Sequence, residues 1–107
     1  PADVVVKTKQ AVFRTWWELR HGPATTVGAM MVQAGAAARF AGRTPVLPVA
    51  ALAAANDGLA PHRDATDYPT VIAALYGDEA AATLGLPPLG LPPRAGLEVG
   101  LAEAYAG

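Results

Sequence analysis

Apolar positions recur at helical spacing through most of the chain, and glycines and prolines cut the pattern into short segments. From Lys9 to His21, Val12, Trp16 and Leu19 fall at i, i+4 and i+7 on one face. Phe13 and Trp17 fall about 100° further round. Arg20 and His21 suit the negative end of this helix, and Gly22-Pro23 stops it. Thr25 or Thr26 can cap a second helix that runs to about Ala41 and ends at Gly42. A third helix is expected from Pro48 to Asn56, with Asp57-Gly58 as its exit. Asp67-Tyr68-Pro69-Thr70 opens a fourth, with Val71, Ile72, Leu75 and Tyr76 on its core-facing stripe and Gly77 as its stop. Asp78 or Glu79 starts a short fifth, closed by Gly85, and Gly96 to Ala106 reads as a weak sixth that packs on the same domain.

Two segments depart from helical spacing. Val4-Val5-Val6, three β-branched residues in a row, predicts a short N-terminal strand or an extended arm. Residues 85–94 repeat Gly-Leu-Pro-Pro, and paired prolines hold an extended backbone, so this stretch reads as a Pro-rich strap. The prolines lack the i, i+3 spacing of an SH3 ligand. Leu86, Leu89 and Leu91 suit a groove of the chain's own domain or of a neighbour's. The fold class is therefore mostly α: five to six short helices, an N-terminal strand or arm, and the strap. The domain division is 1–84, a strap at 85–94, and a C-terminal helix at 95–107.

Composition sharpens this picture. Of 107 residues, 52% are apolar and 25 are alanine, against seven aromatics. An interior of small side chains buries little area per residue, so the isolated domain is marginal. Gly28, Gly35 and Gly42 recur every seven residues and so share one face of the second helix. Interior glycines weaken a helix, so close approach of a neighbour is their expected reason, with Trp16 or Trp17 seated in the groove. Two adjacent indoles point about 100° apart, and a small-residue core is poorly supplied to cover both. Covering one with another subunit is the expected solution, since Trp is common at interface hot spots.

The net charge of −1, with cations scattered, disfavours nucleic acid. No cysteine and no serine occur, so disulfides, thiolate metal sites and serine nucleophiles drop out. The uncharged stretch Ala24 to Ala38 is too short to span a bilayer. No secretory signal is visible, so a cytoplasmic location or a place within a soluble assembly is expected. Glu18 and His21 have an i, i+3 metal-ligand spacing but need further ligands from His62, Asp64 or Asp67, and no metal or cofactor is expected. The densest polar run is His62-Arg63-Asp64. There, His62 could act as a general base oriented by Asp64 or Asp67, with Arg63 holding an anion and His21 nearby. The bland reading is a solvated loop whose Asp67 caps the next helix.

Pro1 followed by Val4-Val5-Val6 resembles the terminus of the tautomerase superfamily. The resemblance implies a Pro1 amine serving as base or nucleophile. It covers only those residues, and the glycine-notched helices that follow depart from that family's β-α-β unit. Together these features predict a non-catalytic assembly subunit of a homo- or hetero-oligomer that contacts other protein chains. Val4, Val5, Val6, Trp16, Trp17, Leu86, Leu89 and Leu91 would form its interface. The alternative is a small enzyme or ligand-binding protein with His62, Asp64 and His21 as catalytic candidates.

Overall fold

The computed structural model describes residues 2–106. They form six α-helices and no strand: α1 Ala2–His21, α2 Val27–Phe40, α3 Val49–Leu59, α4 Tyr68–Tyr76, α5 Asp78–Thr83 and α6 Ala95–Ala106. Pro1, and with it the proposed terminal amine, lies outside the described residues. No described helix is long and apolar enough to cross a membrane.

The helix boundaries follow their capping chemistry. Thr26 accepts from the Ala29 N–H at 3.1 Å and starts α2, while Asp67 does the same for Thr70 at the start of α4. Gly22, Gly42 and Gly77 take positive φ just beyond α1, α2 and α4, backbone that glycine adopts at least cost.

Two expectations need correction, and the strap at 85–94 is not confirmed as an extended element. Val4, Val5 and Val6 are helical, as the first turns of α1. β-Branching weakens a helix by only tenths of a kcal/mol per residue. Here Asp3 suits the helix start and pairs with Lys7 at 3.3 Å, and the strong helix that follows extends back through them. Asp57-Gly58 does not end α3, which continues to Leu59 and into a 3-10 turn at Ala60–His62. Gly58 instead leaves room for Leu91, whose Cδ2 lies 2.9 Å from where a Cβ would stand. Residues 85–94 form no regular element. Leu91 joins the core and Leu89 packs against it.

The glycine stripe of α2 receives no indole. A Cβ on Gly35 would overlap the Gly100 carbonyl, and one on Gly100 would overlap the Met31 carbonyl. α2 and α6 thus cross backbone to backbone, and α6 also touches α3 and α4. Gly28 serves a different neighbour, donating to the Arg63 carbonyl at 2.8 Å, and Gly42 faces open space. Three glycines on one face have three separate surroundings.

Around this crossing lies a core of alanines and a few larger chains. Met31, Leu59 and Val27 are its largest fully buried members. None of the seven aromatic side chains is buried. Glu98 of α6 is buried, and its Oε1 accepts from the Val46 and Leu47 N–H groups at 2.8 and 3.0 Å, fastening the α2–α3 connection to α6.

Candidate functional site

The His62-Arg63-Asp64 loop is built into the fold. Arg63 donates to Asn56 of α3 at 2.7 Å and, through both terminal nitrogens, to the Glu103 carboxylate of α6 at 3.0 and 3.3 Å. Its carbonyl and that of Ala65 accept from Gly28 and Val27, the first N–H groups of α2. The guanidinium that could have held an anion is thus spent on joining α3 to α6. His62 ends the 3-10 turn, and Asp64 is exposed. His21 stacks on Trp17 at the far end of α1, with ring centroids 4.2 Å apart. Glu18 accepts from Gln33 at 3.1 Å rather than facing His21 across a metal. Among the described residues no three His, Asp or Glu side chains are grouped to hold a metal ion.

Two carboxylates carry most of the loop geometry. Asp67 is held below its ordinary range chiefly by the Thr70 hydroxyl, at 2.6 Å, and then by the Thr70 N–H. Asp78 is lowered chiefly by the Leu91 N–H, against some desolvation, and then by those of Leu89 and Gly90. The Asp78 N–H also donates to the Leu91 carbonyl at 3.0 Å. One side chain therefore shapes the turn that delivers Leu89 and Leu91 to the core, a role with no pattern in the sequence to announce it.

α1 is the least enclosed element. It packs chiefly on α2, through Val6, Gln10, Phe13 and Trp17, which are part-buried at i, i+4, i+7 and i+11. Phe13 meets Phe40 of α2 with ring centroids 5.2 Å apart and stacks on Trp17 at 5.8 Å. Val4, Val5, Ala11, Val12, Trp16 and Leu19 are exposed. Val5, Val12, Trp16 and Leu19 fall within about 60° of one another around the axis and extend for about 20 Å along it. Leu19 is 83% exposed and Trp16 47%. Arg20 lies over the Trp16 ring at 5.0 Å, and Lys9 and Arg20 both flank the stripe on the side toward α2.

The expected interface residues therefore separate into two groups. Val4, Val5 and Trp16 are exposed. Val6 and Trp17 face α2, Leu86 is half-buried, and Leu89 and Leu91 are engaged by their own core. Val12 and Leu19 belong with the exposed group. Their spacing with Trp16 was legible, but amphipathic spacing does not say whether the covering surface belongs to the same chain. No protein-family model, curated protein or solved structure matches the chain.

Proposed function

We propose that the chain is a non-catalytic assembly subunit that docks on another protein through the outer face of α1. The observation that carries this reading is the stripe of Val5, Val12, Trp16 and Leu19, left to solvent on a helix that packs on α2 through another face. Scattered exposed apolar residues are ordinary on any protein, whereas an aligned stripe centred on a Trp is what an interface core requires. Lys9 and Arg20 border the stripe with positive charge, and no acid of α1 borders it. The partner is accordingly an apolar helix or groove rimmed by acidic residues rather than a second copy, which would bring like charges together.

The experiment places a photo-crosslinking amino acid at position 16 of the full chain in its native cells, with position 83 on α5 as control. One discrete heteromeric adduct, absent from position 83 and abolished by Leu19→Glu, is expected. An adduct of twice the chain's 10.9 kDa mass would replace the acidic partner with a copy of the chain. Adduct-free chain that sediments as a lone monomer would remove the reading altogether.

A further inference from the structure

On the side of α1 opposite that stripe lies an open cleft of about 540 Å3, bounded by α1, the end of α2, the α2–α3 connection and the first half of α6. Its charge is segregated. Lys7, Arg14, Arg43 and Arg94 all line it, half of the chain's eight lysines and arginines, whereas Glu98 is the only one of nine acids to do so. The Glu98 carboxylate is already engaged through Oε1 with two backbone N–H groups. Lys7 shares its charge with Asp3 on the surface. Among the described residues Arg14, Arg43 and Arg94 pair with no carboxylate.

One further feature of this cleft is unexplained by folding. Arg94 is the one non-glycine residue at positive φ among the described residues, at +60°. Its N–H donates to the Tyr76 carbonyl at 2.8 Å and its carbonyl accepts from the Glu98 N–H at 2.8 Å, so the strained backbone is held from both sides. Glycine would sit there without strain, as it does at the other positive-φ positions. Keeping an arginine at such a position points to its side chain, since strain tends to persist where a site requires it.

We infer that this cleft binds a small phosphate-bearing molecule, with Arg43 and Arg94 as the principal phosphate ligands and Arg14 and Lys7 supplying charge from α1. Guanidinium groups match phosphate oxygens in pairs, and a cleft lined by four cations from three parts of the chain suits a multiply charged group. The volume lies within the range of small-molecule sites, about 300–1,000 Å3. Leu97 and Leu101, which also line the cleft, give an organic body an apolar wall. This site uses neither the outer face of α1 nor the proposed partner, so each can fail without the other.

Calorimetric titration of the purified chain with inorganic pyrophosphate tests the inference, with citrate as a polycarboxylate of similar charge. Saturable pyrophosphate binding is expected, at least tenfold tighter than citrate. Arg43→Gln and Arg94→Gln should each weaken it at least tenfold, and Arg20→Gln, an equal change in net charge outside the cleft, should leave it unchanged. Arg94→Gly guards against misfolding as an explanation: it should raise Tm by relieving the backbone while still weakening binding at least tenfold. Absence of saturable binding at millimolar pyrophosphate, tighter citrate binding, equal loss in Arg20→Gln, or an Arg94→Gly chain that is more stable and binds undiminished would each overturn the assignment.

Discussion

α2 meets α6 and α1 in opposite ways. At the α2–α6 crossing the side chains are removed, so that Gly35 lies against the Gly100 backbone and Gly100 against that of Met31. On its other side α2 meets α1 through large rings, Phe13 against Phe40, while Val5, Val12 and Leu19 of α1 remain outside. The difference shows how an alanine-rich chain obtains a core. It brings helix axes together until small residues fill the gap at interior density, which leaves no room for aromatics. Those are displaced to the rim, where they bury one side and offer the other.

The crossing should break first. Gly35→Ala places a methyl group inside the Gly100 carbonyl, and because the obstacle is backbone, relief requires the helices to separate. Overpacking of this kind costs about 1–3 kcal/mol and sometimes more, and this site belongs at or above the upper end. Urea unfolding should show that loss for Gly35→Ala and Gly100→Ala alike. A loss under about 1 kcal/mol would mean that the helices pack more loosely than this crossing requires.

Glu98 comes next. Glu98→Ala strips the acceptor from the Val46 and Leu47 N–H groups. An unsatisfied buried donor costs about 1–3 kcal/mol. Glu98→Gln retains a carbonyl oxygen and should recover much of the loss in the same denaturation assay. Equal losses would assign the effect to charge instead of hydrogen bonding.

Acid should loosen the segment after α5 before it touches the crossing. Asp78 and Asp67 have folded pKa values below their unfolded ones near pH 4. Their stabilisation is therefore complete above that range and is lost as pH falls through the folded values. Tm should drop below about pH 4, and Asp78→Asn should lower Tm at neutral pH while flattening part of that acid limb. Protection of the Leu89 and Leu91 amides, measured against the slower intrinsic exchange in acid, should fall on acidification ahead of that of the amides of α2 and α6.

Much of the helical frame was legible because caps and stops are local. Gly22-Pro23, Thr26, Gly42, Asp67 and Gly77 act on backbone groups only a few residues away, so their meaning travels with the sequence. What was illegible was set by distant partners. Gly35 signalled a close neighbour without naming it, and a bulky ring was a reasonable occupant until Gly100 supplied a second gap in the facing helix. Arg63 looked free because its partners, Asn56 and Glu103, are 7 and 40 positions away. Arg43 and Arg94 stand far apart in sequence, and only the folded chain turns a thin scatter of cations into one lined cleft. The exposed stripe of α1 was visible as a stripe, and its exposure was not.

Substitutions on that stripe should barely affect the isolated chain. Leu19→Glu changes a side chain that is 83% exposed, so denaturation of the monomer should shift by no more than about 1 kcal/mol while crosslinking to a partner disappears. A large loss of monomer stability would mean that the stripe is held within the fold.

The finest contrast uses one substitution at two sites. Val27→Ala in α2 removes a fully buried side chain and should cost about 1–3 kcal/mol. Val4→Ala, at a position 57% exposed on the first turns of α1, removes little packing and replaces a β-branched residue by the best helix former. It should stabilise α1 by a few tenths of a kcal/mol. The gain is small, so it is better read as slower amide exchange at the start of α1 than as a change in global unfolding. Opposite signs would place Val4 in the helix without placing it in the core. Loss at both sites would mean that the N-terminal turns pack on something within their own chain, and the contrast between α1 and the crossing would narrow accordingly.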